Sequence, residues 1–179
     1  MNIVLVGFMG AGKTSTGKEL ARMVGYDFLD MDQLIEKKNG MKIPELFEKR
    51  GEAFFRLEEK DAVERLKLKK KCIVSTGGGV WLDENNRKEL FRFGFCIWLV
   101  VSAGKAMERI GANLTQRPLL SGSKNPRVAA EKILSERTPY YSLAQAKVET
   151  DDKTPKEVAS EILKVLSEGH SIDLSELQK

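Results

Sequence analysis

Cysteine and histidine are scarce in this sequence: its 179 residues include two cysteines and one histidine. Cys72 and Cys96 both lie in apolar runs typical of strands, where a reduced thiol in the core is expected. One pair of this kind is no disulfide framework, so the sequence favours a cytoplasmic protein. The single histidine, His170, lies in a polar C-terminal segment, which argues against a zinc site.

Long hydrophobic runs and a large excess of charge are also missing. No apolar run approaches the roughly 18 residues of a membrane-spanning helix, and the chain enters a strand pattern at Ile3, which leaves no room for a signal peptide. The formal net charge of +4 suits a protein that binds small anions and equally suits one with no special partner. The densest basic run, residues 67–71, ends a helical pattern, so we expect it to face solvent rather than bind nucleic acid.

Apart from these absences the composition is ordinary. Apolar residues make up 41% and charged residues 31% of the chain, as in globular proteins with a sizeable core. The length predicts a single domain over residues 1–168, followed by a polar tail over 169–179. We expect a monomer that acts on small molecules, with no nucleic-acid and no membrane partner.

The strongest signal in the sequence is a glycine-rich loop. Residues 7–14, Gly-Phe-Met-Gly-Ala-Gly-Lys-Thr, match G-x-x-x-x-G-K-[ST] at every fixed position, between a predicted strand over 3–6 and a predicted helix over 14–24. Such glycines let successive backbone N–H groups face one concavity, where the helix dipole adds partial positive charge. The motif predicts that Lys13 reaches the β- and γ-phosphates of a nucleotide and that the Thr14 hydroxyl ligates Mg²⁺. A glycine turn that binds nothing is the disfavoured alternative.

Two carboxylates follow the first predicted helix. Phe28 and Leu29 indicate a short strand, which would carry Asp30 and Asp32 at its carboxyl end, where ligands bind in open α/β sheets. Because residues two apart on an extended segment share a face, both carboxylates are expected in one cleft. In one assignment of roles, Asp30 binds Mg²⁺ through water and Asp32 contacts a hydroxyl group of the substrate. The alternative is that one or both only cap the next helix, over residues 33–39.

A short helix from Pro44 to residue 50 and a longer one over about 51–67 come next. Arg56 lies near the start of the longer helix, and Glu59 follows it at i+3, within reach of an ion pair. An exposed pair is the commonest explanation and stabilises a helix by only about 0.3 kcal/mol. On this observation alone the pair indicates no function.

A predicted strand over residues 72–76 runs directly into three glycines, residues 77–79. Three consecutive glycines lower stability, because each loses extra backbone entropy on ordering, and this cost favours close approach of a ligand. A run of free N–H groups would suit a carboxylate. The alternative is a loose turn into a helix capped by Asp83.

A fourth strand, over 97–101, and a helix over 103–110 precede a segment rich in Asn, Gly, Ser, Gln and Pro at residues 111–126. A segment of this composition inside a compact domain is typical of a mobile lid. Arg117 within it could stabilise charge on a transferring phosphoryl group; the alternative is a solvated loop arginine.

The last third of the chain predicts a helix over 129–138 that ends at Pro139, a fifth strand over 146–149 and a final helix from Thr154 to about residue 166.

These motifs together resemble the shikimate kinase family, from Asn2 to about Leu166. In the family's order and spacing they are Gly7-Phe-Met-Gly-Ala-Gly-Lys-Thr14, Asp30-Met-Asp32, Gly51-Glu-Ala-Phe-Phe-Arg-Leu-Glu-Glu59, Thr76-Gly-Gly-Gly79, Arg117-Pro-Leu-Leu120 and Glu136-Arg137-x-Pro139-x-Tyr141. The first motif alone indicates only a nucleoside triphosphate, and the others make the resemblance far more specific.

The resemblance implies a P-loop kinase fold like that of nucleoside monophosphate kinases: a three-layer α/β/α sandwich around a five-stranded parallel sheet. A substrate-binding insertion would span about residues 31–60 and a lid about 111–125. The implied activity is ATP-dependent phosphorylation of the 3-hydroxyl of shikimate, a step of chorismate biosynthesis, with ATP and shikimate as substrates and Mg²⁺ as cofactor.

The family's site residues carry over position by position. Those implied to bind ATP are Gly10, Ala11, Gly12, Lys13, Thr14, Ser15, Arg117 and Pro155. Those implied to bind shikimate are Asp32, Arg56, Gly78, Gly79 and Arg137, with Glu59 orienting Arg56. Lys13, Asp32 and Arg117 are the implied catalytic residues, and Thr14 and Asp30 the implied metal ligands.

One position departs from the family. Ile110 stands where relatives carry an arginine that stacks on adenine, so either the adjacent Arg109 or an apolar face of Ile110 would take its place, with Pro155 across the slot. Two rival functions stay open: another small-molecule kinase, for gluconate or a nucleoside monophosphate, and a non-catalytic nucleotide-binding regulator.

Overall fold

The computed structural model describes residues 1–111, 114 and 117–169. The strands are β1 (Ile3–Val6), β2 (Asp27–Asp30), β3 (Cys72–Ser75), β4 (Phe95–Val100) and β5 (Ala146–Glu149). The helices are α1 (Lys13–Val24), α2 (Met31–Asn39), α3 (Ile43–Leu66), α4 (Glu84–Phe93), α5 (Ala103–Ile110), α6 (Pro118–Ser121), α7 (Pro126–Tyr141) and α8 (Pro155–Gly169), with a one-turn 3₁₀-helix at Val80–Leu82. The predicted tail beyond residue 169, with His170, lies outside the described residues, as do 112, 113, 115 and 116 of the predicted lid.

The five strands form one sheet in the order β2-β3-β1-β4-β5, and every neighbouring pair is parallel. All residues of β1 and β3 are buried, so both faces of the sheet are covered, as parallel sheets require. Helix α1 packs on β1, β2 and β3, and α8 packs on α1 and β5. The predicted three-layer α/β/α fold with a five-stranded parallel sheet is confirmed.

Both cysteines are buried free thiols, as predicted. Burial raises the pKa of Cys96 to about 12 and also raises the pKa of Cys72, so both are neutral core side chains at physiological pH. Across the described ranges, no helix combines the length and the apolar character that crossing a membrane requires.

The predicted extended geometry of Asp32 is wrong. Strand β2 ends at Asp30 and α2 begins at Met31, so Asp32 lies in the first turn of a helix. Asp30 is the N-cap of that helix, and its Oδ1 accepts a hydrogen bond from Gln33 N at 3.3 Å. Asp30 therefore caps this helix, and Asp32 does not; the cap leaves Oδ2 of Asp30 for a second contact at the site.

The predicted end of a helix at Pro139 is also wrong, because α7 continues through this proline to Tyr141. A proline removes one backbone donor, and the turn beyond it is held by the Ser142 N–H, which donates to the Thr138 carbonyl at 3.0 Å. Tyr141 consequently lies one turn beyond Arg137, on the same side of the helix.

The two predicted helices around Gly51 are confirmed as two arms of α3. Gly51 has φ 80° and ψ 169°, which is not helical and bends the helix there. The second arm starts beyond this kink and carries Arg56 and Glu59 toward the carboxyl edge of the sheet.

Candidate active site

The phosphate loop connects β1 to the N-terminus of α1. Gly10 has φ +76°, and a Cβ added there would lie 2.7 Å from the Ala106 carbonyl oxygen, so this position requires glycine both for its conformation and for its close approach to α5. Gly12 is the N-cap of α1, and no side chain in the described part of the chain caps this helix start. The first N–H groups of α1 are thus available to an anion, as in other phosphate sites at helix N-termini.

Lys13 is folded back over this loop. Its Nζ donates to the carbonyl oxygens of Gly7 and Phe8, both at 2.8 Å. Burial lowers the pKa of Lys13 to about 8, and the charge of Asp32 opposes this shift. A phosphate placed here would supply the opposite charge that the buried ammonium group lacks.

Thr14 and Asp30 meet at the start of α1. The Thr14 hydroxyl donates to Asp30 Oδ2 at 2.7 Å, and Ser75 Oγ lies 3.4 Å from the same hydroxyl oxygen. One carboxylate with hydroxyl oxygens suits Mg²⁺, which keeps most of its waters and binds few protein ligands. Within the described ranges there is no cluster of three or more His, Cys, Asp or Glu side chains that could hold a metal ion, so a tighter protein cage is absent from that part of the chain.

A cavity of about 560 Å³ opens above the loop. All the residues predicted to bind ATP line it: Gly10, Ala11, Gly12, Lys13, Thr14, Ser15, Arg117 and Pro155. Arg109 lines it too, and its guanidinium donates to Gly10 O at 3.3 Å and to the hydroxyl of Thr150 at 3.0 Å. Ile110 is 4% exposed and belongs to the core, so of the two sequence alternatives for the adenine slot the structure favours Arg109.

Arg56 and Arg137 converge on the glycine loop from two different helices. Arg137, on α7, donates through Nη1 to Gly78 O at 3.2 Å. Arg56, on α3, lies against Gly79, where an added Cβ would be 2.1 Å from Arg56 Nη1. Gly79 has φ −99°, so it is the approach of the guanidinium group, rather than backbone conformation, that requires glycine.

The ion pair of Arg56 with Glu59 is not the exposed pair that the sequence suggested as the common case. Arg56 Nη1 donates to Glu59 Oε2 at 2.6 Å, and the side chain of Glu59 is 2% exposed. Glu52 accepts from Arg56 Nη2 at 2.7 Å on the outer side. Two carboxylates therefore fix the guanidinium plane, which a flexible surface pair would not do.

Asp32 and Glu59 each present one carboxylate oxygen without a hydrogen-bond partner among the described residues, Oδ1 and Oε1 respectively. A Cβ added to Gly77 would lie 2.6 Å from the first and 3.1 Å from the second. Burial raises the pKa of Asp32 to about 6, with a further rise from Asp30, and Lys13 opposes it. Burial likewise raises the pKa of Glu59 to about 7, against the opposing charge of Arg56. Unpaired buried oxygens at a cavity wall are suited to accept hydrogen bonds from a ligand's hydroxyl groups.

Arg117 lies where the nucleotide cavity meets a smaller cavity lined by the arginines and glycines described above. Both cavities are lined by Met9, Asp32, Gly78 and Arg117. Arg117 Nε is buried and has no hydrogen-bond partner in the described part of the chain. Its guanidinium is close enough to Lys13 to contribute to the lowering of that pKa. A cation at this junction faces whatever passes between the two cavities.

Several residues of the site were not predicted from the sequence. Ile43, Phe47 and Phe55 form an apolar wall of the smaller cavity, with the two phenylalanine rings 4.8 Å apart. Thr150 anchors Arg109. In a helical sequence pattern, an apolar residue that lines a cavity cannot be told from one that packs in the core, so the sequence could not identify this wall.

The glycine-rich phosphate loop lies on a parallel sheet, and Asp32 and Arg117 connect it to a pocket that has two more arginines. This arrangement defines a P-loop kinase for a small anionic acceptor. Comparison with known proteins narrows this class. The family profile for shikimate kinase matches residues 9–167, and the chain belongs to the shikimate kinase family.

Its relatives include the shikimate kinases of Thermodesulfovibrio yellowstonii, 43% identical over 91% of this chain and 93% of the relative, and of Moorella thermoacetica, 42% identical over 92% and 94%. Among solved structures, shikimate kinase from Acinetobacter baumannii in complex with shikimate has a TM-score of 0.90 and 36% identity, and the match covers 94% of each chain.

Proposed function

We propose that the chain transfers the γ-phosphoryl group of ATP to the 3-hydroxyl of shikimate, a step of chorismate biosynthesis. The observation that carries this proposal is the convergence of Arg56 and Arg137 on Gly78 and Gly79, directly beside the phosphate loop. Two guanidinium groups next to backbone N–H groups suit a carboxylate, because each planar fork can donate two parallel hydrogen bonds to it. A carboxylated polyol fits this arrangement better than a nucleotide acceptor.

In this proposal the acceptor's carboxylate is held by Arg56, Arg137 and the N–H groups of the glycine loop. Glu59 and Glu52 keep the Arg56 guanidinium in one plane. The carboxylate of Asp32, which lines both cavities, accepts a hydrogen bond from the acceptor's ring hydroxyl, aligns it and takes its proton as the phosphoryl group arrives.

Lys13 and Arg117 neutralise the charge that develops on the transferring group. Lys13 leaves the carbonyls of Gly7 and Phe8 to bind the β- and γ-phosphates, while Arg117 contributes its charge from the junction of the two cavities. Such reactions depend mostly on positioning and charge stabilisation.

Thr14 and Asp30 are the proposed ligands of Mg²⁺, in part through water. The 2.7 Å contact between their side chains puts a hydroxyl and a carboxylate oxygen at one point. A magnesium ion held by these two side chains would supply positive charge that offsets the charge of the phosphates.

The finer organisation is also proposed: a single domain over residues 1–168, an acceptor-binding insertion over about 31–60, and a lid over about 111–125 that carries Arg117. We propose a monomer with small-molecule substrates and no nucleic-acid or membrane partner. The buried free thiols of Cys72 and Cys96 support a cytoplasmic location, since such thiols are kept reduced there.

The test is release of ADP with shikimate, gluconate or AMP as the acceptor. We expect turnover with shikimate alone. Turnover with gluconate or AMP but not shikimate would assign the chain to another kinase, and ATP binding without turnover of any acceptor would indicate a regulator.

A further inference from the structure

Tyr141 is completely buried, yet its hydroxyl group is directed at the glycine loop. The hydroxyl donates a hydrogen bond of 2.6 Å to the carbonyl oxygen of Gly78. The ring stacks on Trp98, with centroids 6.1 Å apart. The ring thus belongs to the core while the polar end reaches the wall of the active site.

The same carbonyl oxygen also accepts a hydrogen bond from Arg137 Nη1, at 3.2 Å. Arg137 and Tyr141 are four residues apart on α7 and so lie on the same side of this helix. The shorter bond comes from the neutral hydroxyl group. Among the described residues, Arg137 donates to the protein through Nη1, which leaves other N–H donors of the guanidinium for an anion.

A carbonyl fixed in this way also fixes the N–H on the other side of the peptide. The peptide between Gly78 and Gly79 is trans, so the Gly79 N–H points away from the Gly78 oxygen and from α7. Two consecutive glycines have no side chain to limit rotation of this peptide plane. The Val80 N–H donates to Gly77 O at 3.3 Å across this peptide, and the hydrogen bonds to the Gly78 oxygen select one orientation of the peptide plane.

A second contact locks the same two segments together. Trp81, in the 3₁₀-helix that follows the glycines, donates through Nε1 to the Tyr140 carbonyl at 2.7 Å. The end of α7 and the glycine loop are thus joined at the Gly78–Gly79 peptide and again just after it. The Tyr141 hydroxyl is the contact that bears on the peptide itself.

We infer that the hydroxyl of Tyr141 is a positioning group for the acceptor's carboxylate: by holding the Gly78 carbonyl it orients both the Gly79 N–H and the Arg137 guanidinium. Tyr141 does not touch the acceptor. Without the hydroxyl, Arg137 alone would hold the carbonyl and the Gly78–Gly79 peptide could rotate. This inference rests on the proposed function, because it concerns binding of that acceptor.

The test is Tyr141→Phe, which removes the hydroxyl and leaves the stacked ring. We expect the KM for shikimate to rise about tenfold, as for the loss of one well-formed hydrogen bond, with the KM for ATP and kcat changed less than about twofold. Tyr26→Phe is the matched control. Tyr26 is also buried, but its hydroxyl has no hydrogen-bond partner in the described part of the chain, so we expect unchanged kinetics.

Combining Tyr141→Phe with Arg137→Lys gives a second readout. Because both residues hold one carbonyl, their effects on shikimate binding should be non-additive. Unchanged shikimate KM in Tyr141→Phe, additive effects in the double variant, an equal rise of both KM values or failure to fold would each overturn the inference. If the wild-type protein did not phosphorylate shikimate, the proposed function would fail instead, whatever the variant does.

Discussion

Arg56 Nη1 lies 2.6 Å from Glu59 Oε2, and the Glu59 side chain is 2% exposed. A buried carboxylate beside a half-buried guanidinium group is much more costly to disturb than a surface pair, because that partner is the main compensation for its burial. The main role of the pair is therefore to hold Arg56 in position. The small gain in helix stability that ion pairs at i,i+3 spacing usually give is secondary.

Replacing the carboxylate tests this relationship. Glu59→Gln keeps the size of the side chain but removes its charge, so the charge-assisted bond that orients Arg56 is lost. We expect the KM for shikimate to rise about tenfold and the KM for ATP to stay within about twofold. Glu45→Gln is the control, since Glu45 forms an exposed i,i+4 pair with Lys49 on the first arm of α3. Equal effects of the two substitutions on shikimate KM would show that Glu59 has no special role.

Glu59 also makes the stability of the protein depend on pH. Its pKa is raised by burial to about 7, from an ordinary value of 4.5. Between these values the folded state binds more protons than the unfolded state, so the free energy of unfolding falls as pH rises from about 4.5 to 7. In urea unfolding at pH 5 and pH 7.5, without substrates, the wild type should lose more stability between the two pH values than Glu59→Gln. Identical losses would mean that Glu59 titrates normally.

The sequence was most informative where chemistry needs a fixed local spacing. The phosphate loop, the cap at Asp83 and the final helix depend on neighbouring residues, and the structure has each in place. Propensity failed at Pro139, because α7 can continue past a proline when the following turn still forms its hydrogen bonds.

The contacts across the site were beyond reach for a different reason. Three contacts depend on which elements pack together: the burial of the Arg56–Glu59 pair, the hydrogen bond from Arg109 to Thr150, and the one from Tyr141 to Gly78. Spacing along one element does not contain this information. The family resemblance supplied residue roles but not the physical means by which each side chain is held.

In the proposed function Asp32 acts on the acceptor, so its loss should lower turnover and leave the binding of ATP unchanged. Its Oδ1 is buried and has no hydrogen-bond partner among the described residues. Asp32→Asn should lower kcat by about 10²-fold or more, because an amide cannot take the proton of the attacking hydroxyl. The affinity for ATP, measured by titration without acceptor, should be nearly unchanged. Asp61→Asn, at an exposed carboxylate paired with Arg65, is the control, and wild-type turnover in Asp32→Asn would remove Asp32 from the mechanism.

Substitution of Gly79 by alanine tests whether the site needs a residue without a side chain at this position. An alanine Cβ at this position would lie 2.1 Å from Arg56 Nη1, and a guanidinium at the end of a flexible side chain can move away. Because φ is −99°, the backbone accepts alanine without strain. Gly79→Ala should therefore fold, with a lower thermal stability because displacement of Arg56 disturbs its ion pair with Glu59, while the KM for shikimate rises about tenfold or more through the same displacement.

Gly104→Ala provides the comparison for this variant. Gly104 lies in α5, where an added Cβ meets nothing within 4 Å, so the substitution should leave both KM values unchanged and stabilise the helix by up to about 1 kcal/mol. Thermal unfolding and shikimate kinetics on the two variants separate a general effect of removing glycine from a local one. A wild-type shikimate KM in Gly79→Ala would mean that Arg56 does not need the position in which the structure has it.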